Sequence, residues 1–417
     1  MASPPTADLA APVRRISPPK GHHFHGYYDL QPWDSTGRCF LCLEVGFMDR
    51  PPAAGDAARL GLIDLAAGRF EPLAETRAWN FQQGCMAHWL GEKVSDTLAV
   101  KVSDTFSPQI IFNAREGDRF VAVVLDVHSG KRRVLAAPVA AVSNDGRWSL
   151  GLNFARLADM RPGYGYAGVA DPFAEELCPE ADGVTLLDIT TGQARLVIPM
   201  AELARELPAE LRGLKLYVNH ALFSDDGSRF AFLPRATLPD GRLLTAMYTA
   251  DRDGGRRCRL LDYGLVSHFD WLGSTHVLVW AGRPNPEHQP WPARRRYFLI
   301  RDRAPEDCRL VGEDADVVDG HCSYSPDRKR ILTDTYPDQD NLRTMLLMRA
   351  ANGRQAVLGR FLAPGAIGGE IRCDLHPCWS RDGRQISFDS IHEGRRAVYV
   401  MDAAEALARE SAGQSTF

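Results

Sequence analysis

Apolar residues in this chain fall in short runs. "RFAFL", "HVLVW", "RILTD" and "QISFDS" belong to one set, and "LGLIDL", "VTLLDI", "YFLIRD" and "AVYVMD" to a set that follows it. Turn residues such as "AAG", "TTG" or "ANG" come next, and most units close with a third run of the type "RFEPLAE", "QARLVIP" or "RQAVLGR". Runs of this length, broken by Gly, Asp and Asn, predict short antiparallel strands. An aromatic-Ser-x-Asp-Gly core marks where each unit begins. It stands as "CWSRDG" at 378–383 and recurs as "SYSPDR" (323–328), "LFSDDG" (222–227) and "VSNDG" (142–146), with weaker copies "DWLGST" (270–275), "HWLGE" (88–92) and "PWDSTG" (32–37).

Seven copies of a four-stranded unit predict an all-β fold, a seven-bladed β-propeller occupying residues 1–417 as one domain. The last copy lacks a convincing fourth strand after "AVYVMD", whereas "APVRRISPP" near the N-terminus has the composition of a closing strand and no blade of its own. Residues 11–17 are therefore expected to complete blade seven against residues 395–404, so that no sheet edge stays open. Helical periodicity is confined to residues 199–214, read as a helix inserted between blades three and four.

Composition changes this picture little. With 417 residues, 45% hydrophobic and 24% charged, the chain is ordinary globular material. A net charge of −4 with no Lys/Arg block argues against nucleic acid or an anionic membrane as partner. The absence of a secretory-type apolar run near the start, or of a long apolar segment later, leads to the expectation of a cytoplasmic protein; a monomer or homodimer is expected. Nine scattered cysteines suit a reducing compartment. Cys39 and Cys42 form a CxxC, but on a strand residues three apart point to opposite faces, which argues against a redox or zinc pair.

The candidate chemistry lies in a register. His376 precedes the aromatic residue of its marker, Trp379, by three positions. His321 precedes Tyr324, His268 precedes Trp271 and His220 precedes Phe223 by the same interval; in blades one to three the position is Leu30, Met86 and Val139. First strands of propeller blades line the central channel, so equivalent positions converge at one end. A single His at the start of a strand is usually a hydrogen-bonded structural residue, and a ladder of them could also serve only channel waters. With only 12 histidines in 417 residues, four at one register point instead to a metal site.

These residues, "NHALFSDDG", "SHFDWLG", "GHCSYSPD" and "LHPCWSRDG", with "HHFHGYYDLQPWDSTGR" upstream, resemble the oligogalacturonate lyase type of propeller polysaccharide lyase. The resemblance implies a manganese ion held by His268, His321 and His376, with His220 as the base. The glutamine that completes the family's ligand set corresponds here to Val318, which leaves Asp319, a water or a substrate oxygen as the fourth ligand. Imidazole-rich donor sets also suit Zn²⁺ or Ni²⁺. The implied reaction is β-elimination from an acidic, uronic-acid-containing oligosaccharide. Arg156, Arg161 and Arg235 are candidates for binding substrate carboxylates, with Tyr164, Tyr217 and His25 beside them. Tyr27, Tyr28, Tyr164, Tyr166 and Tyr217 are the candidates for protonating the leaving oxygen. His22 and His23 join His25 in a second cluster. Two alternatives stay open: a His/Tyr mechanism of the ulvan lyase type, with the metal structural, and a non-catalytic propeller serving as a binding platform. No HExxH motif or acidic cluster at suitable spacing supports a metalloprotease or nuclease.

Overall fold

The computed structural model describes residues 7–8, 12–91, 108–282, 295–312, 318–404 and 407. They form seven antiparallel sheets, the blades of one propeller. Each begins at the channel with a short first strand: His22–Phe24, His88–Leu90, Ala141–Val142, Leu216–Phe223, Val266–Leu272, Ser323–Tyr324 and Cys378–Trp379 for blades one to seven. Apolar side chains fill the space between neighbouring sheets; Met345 and Leu347 of blade six, for example, share one buried cluster with Ile386 and Phe388 of blade seven.

The ring closes as the sequence predicts. Val13–Arg15 pairs antiparallel with Ala397–Asp402, Val13 opposite Met401, and supplies the outer strand of blade seven. Residue 11, the first of the expected closing stretch, lies outside the described residues. Ala7–Asp8 adds a fifth, parallel strand to blade six, which the sequence did not announce.

The marker motif is a turn. Ser143, Ser224, Ser325 and Ser380 each donate Oγ–H to the Asp two residues on, at 2.5–2.9 Å. The same oxygens accept the backbone N–H five residues on, where the second strand starts. Ser and Asp recur because their side chains satisfy the backbone of a tight reversal.

Two helices depart from expectation. The stretch 199–214 is helical over Met200–Arg205 and then only as a 3₁₀ turn, Ala209–Leu211. Pro208 interrupts it, because proline disfavours helical backbone in the residue before it. A second helix, Phe154–Met160, stands in blade three where none was expected; the Asn153 side chain caps it by accepting the Arg156 N–H. No described helix is long and apolar enough to cross a membrane.

Candidate functional site

Blade one departs from its siblings in a way that builds the site. After His22–Phe24 the chain leaves the sheet and returns only at Trp33, which bridges to Phe40. Residues 25–32 between them run into the channel as a plug. Gly26 begins it at φ +125°, where a Cβ would come within 2.9 Å of the Gln83 carbonyl oxygen. The Tyr28 hydroxyl then donates to the Phe269 carbonyl oxygen at 2.9 Å and accepts the Phe269 N–H at 3.1 Å. Both backbone groups need a partner because the pairing of blade five shifts register between Val266 and Phe269. At the far end of the plug, Gln31 Nε2 donates to the Trp379 carbonyl oxygen at 3.2 Å.

The plug brings Tyr27 into the midst of the histidine register. Its ring centroid lies 5.1 Å from those of His220 and His376, 5.7 Å from His321 and 6.5 Å from His268. His321 is 4.1 Å from His268 and 4.3 Å from His376. All four imidazoles are buried, and Tyr336, 40% exposed with its ring 6.4 Å from His321, places them one side chain below the surface. His220 and His376 have left-handed backbone, φ +51° and +42°, as does Met86 at the same register in blade two (φ +50°). Such conformations in non-glycine residues are uncommon and persist only where surrounding structure holds them.

Three of the imidazoles hydrogen-bond a carboxylate. His220 Nε2 meets Asp29 Oδ2 at 3.0 Å, and His268 Nδ1 meets Asp319 Oδ1 at 3.0 Å. His321 Nδ1 lies 2.8 and 3.1 Å from the two oxygens of Asp334, which also accepts the His321 N–H. A carboxylate only accepts, so His321 carries its proton on Nδ1 and presents a lone pair at Nε2. That Nε2 is buried without a partner, as is Nε2 of His376, which stands 3.8 Å from Asp374 Oδ2.

Among the described residues, His321, His376 and Asp374 form the one group of three whose candidate ligand atoms lie within 4.8 Å of one another. Burial holds the pKa of both histidines well below the ordinary value, each reinforced by a neighbouring imidazole. Burial alone would raise the Asp374 pKa, but Arg372 and Arg343 overcome it and keep the carboxyl well below the usual range. His321, a neutral imidazole with an orphaned Nε2 and a carboxylate on the opposite ring atom, offers the donor pattern a divalent transition metal takes, and His376 adds a second orphaned Nε2 beside it. His268 stands beside this group, and Asp319 binds its Nδ1. Val318, the neighbour of Asp319, is 46% exposed.

Burial lowers the His220 pKa, and the Asp29 hydrogen bond offsets part of the effect. Around the same site are Arg161, Arg235, Tyr164 and Tyr217. Arg235 is buried with Nε unpartnered, and among the described residues neither it nor Arg161 forms an ion pair. Burial depresses the Arg235 pKa, and the like charge of Arg161 adds to this. Tyr164 packs under Arg161, whose guanidinium carbon is 5.1 Å from the ring, and its hydroxyl accepts from Arg372 at 2.7 Å. Burial raises the Tyr217 phenol, and the charges of Arg235 and Arg161 oppose this.

Other candidates lie elsewhere. Arg156 points inward from its helix and is 1% exposed. Its Nε donates to Leu216 O, Nη1 to Asp171 and Phe173 O, and Nη2 to Glu176 O and Leu177 O, so it ties down the blade-three insertion and has no donor left for a substrate. His25 is enclosed, with Nδ1 3.3 Å from Asp389 and its ring against Phe40, beneath the site instead of lining it. Tyr166 stacks on Phe154 and accepts from Asn113, and the Tyr28 hydroxyl is committed to Phe269. His22 and His23 belong to the first strand of blade one, His23 against Phe70.

Asp319, named from the sequence as a possible metal ligand, instead holds His268 Nδ1; the other carboxylates were missed, although "DLH", like "DGH", places an Asp two residues before a register histidine. Asp334 and Asp389 end "RILTD" and "QISFD", equivalent second strands. Nothing local marks Asp29.

No protein-family model and no curated protein match the chain. Solved structures do. One is oligogalacturonate lyase from Vibrio parahaemolyticus, 13% identical over 96% of each chain with a TM-score of 0.62. Another is an oligogalacturonate lyase in complex with manganese, 15% identical over 96% of each chain with a TM-score of 0.63. The tricorn protease matches 94% of this chain but 35% of its own length, at 11% identity and a TM-score of 0.53. At such identities the likeness is one of fold, and the fold is the seven-bladed propeller that oligogalacturonate lyase has from end to end.

Proposed function

We propose that the protein is a metal-dependent lyase that cleaves uronic-acid-containing oligosaccharides by β-elimination. The observation that carries this reading is the convergence of His220, held by Asp29, with the orphaned nitrogens of His321 and His376 in one channel mouth beside two arginines without acid partners. His321 and His376 would hold the metal, with His268 and Asp374 nearest to complete its shell. A divalent cation held there would offset the negative charge of the substrate carboxylate and so make the neighbouring C5–H more acidic. The manganese complex among the fold neighbours supports manganese as that ion.

The protein's own groups do the rest. Arg235 and Arg161 bind sugar carboxylates, their mutual repulsion relieved by an anion between them. His220, neutral at pH 7 because it is buried, accepts the C5 proton at Nδ1. The C5–H electron pair forms the C4=C5 double bond, and the C4–O bond breaks with its pair leaving on O4, which takes a proton from water. Tyr27, Tyr164 and Tyr217 remain as hydroxyls near the departing oxygen. Burial, reinforced by Tyr164 and Asp29, keeps Tyr27 protonated.

Tyr27's central place also favours a second reading, in which it and a histidine perform the chemistry and the metal is structural. Tyr27→Phe then abolishes turnover, whereas the first reading expects turnover to persist. The test of the activity itself is a panel of pectic and ulvan oligouronides read by the absorbance of unsaturated uronide. Product from at least one is expected, and none from any would end the lyase reading.

A further inference from the structure

The proton transfer above gives Asp29 no part of its own, yet the plug carries it to His220 from 191 residues away. Its side chain is 6% exposed and that of His220 4%. Oδ2 holds His220 Nε2 at 3.0 Å, while Oδ1 is buried without a partner. Asp29 also forms part of the wall of a cavity of about 660 Å³ at the other end of the channel, lined by the marker turns. The carboxylate thus stands between the site and a water-sized approach from the opposite face.

We propose that Asp29 is the positioning residue of His220: it fixes the tautomer with the proton on Nε2, leaving the lone pair on Nδ1 for the substrate, and compensates the imidazolium that forms. The proposal rests on the lyase reading only in naming His220 as the base. In the step, the C5 proton moves to Nδ1, the C5–H pair enters the C4=C5 bond, and the C4–O pair leaves with O4, which takes a proton from water. The Nε2 proton stays where it is, shared with Asp29. An ionised carboxylate in this place is worth several factors of ten in a His-dependent reaction because it excludes the wrong tautomer.

The other groups facing His220 do not replace Asp29. Tyr27 and Tyr28 present rings at 5.1 and 5.5 Å and Phe269 at 4.4 Å. His268 and Arg235 act on it through charge, and both oppose protonation. Of these groups, Asp29 favours the cation.

The test is a proton-NMR titration of the His220 ring in the metal-loaded wild type and in Asp29→Ala and Asp29→Asn, with pH profiles of kcat/KM alongside. Without the carboxylate His220 holds a proton less well, so its titration and the acid limb of the profile both move to lower pH. The account further expects kcat to fall about 10²- to 10⁴-fold with metal retained. In Asp29→Ala, formate entering by the far cavity should move the titration back and restore part of the rate. An unchanged His220 titration in either folded variant overturns the proposal. If the wild type yields no unsaturated product, the base role falls with the lyase reading, while the titration still decides whether Asp29 governs His220.

Discussion

The two ends of the channel are made by the same seven first strands, yet they treat polar groups in opposite ways. At the turn end, Ser325 bonds Asp327 and the Arg330 N–H within six residues of chain, and Ser143, Ser224 and Ser380 repeat the arrangement. Each turn closes its own hydrogen bonds. At the histidine end, His268 and His220 depend on carboxylates 51 and 191 residues away, and two imidazole nitrogens have no partner. Buried polar atoms left unsatisfied are costly and rare, so a place where they gather is one where a ligand completes the structure.

The largest expected effect breaks the histidine end. His376→Ala or His321→Ala removes a nitrogen from the metal group and should lose both metal and turnover while the fold persists. Elemental analysis checks it, and full metal content in both variants would refute the ligand assignment. A smaller effect is expected at the turn end. Ser325→Ala forfeits two hydrogen bonds and should cost about 1 kcal/mol of stability, visible as a lowered denaturation midpoint, with metal content and activity unchanged.

The last effect is one of pH. Burial lowers His23 and His88 to pKa values of about 4. Between pH 6.5 and 4 both are then neutral in the folded protein and protonated when unfolded. The unfolded state binds more protons in that window, so stability should fall as the pH drops, by up to about 1.4 kcal/mol per pH unit for each. His88→Gln should reduce that slope in denaturant titrations, and an unchanged slope would remove His88 from the explanation.

The same contrast explains what was legible in the sequence. The turn end is local and repeated, so seven copies could be aligned on Ser, Asp and an aromatic residue, and the fold and the ring closure follow. The four histidines were found because they borrow that register. Their partners were not, because Asp29 reaches His220 only through a plug that breaks the strand pattern of blade one, and periodicity has no sign for such an excursion. Arg156, a candidate carboxylate binder from the sequence, went astray for a related reason: helical periodicity was read only at 199–214, whereas the capped helix Phe154–Met160 turns its guanidinium inward onto Asp171 and four backbone carbonyls. Left-handed backbone at His220 and His376 had no sequence mark either, since neither position is glycine.

The central claim is that the histidine end is a catalytic centre in which His220 removes a proton without holding the metal. His220→Ala, assayed for metal content and for unsaturated product from the oligouronide the wild type cleaves best, tests this most directly. The account predicts full metal occupancy with turnover reduced about 10²- to 10⁴-fold. Near-normal turnover, or loss of the metal with the base, would contradict it.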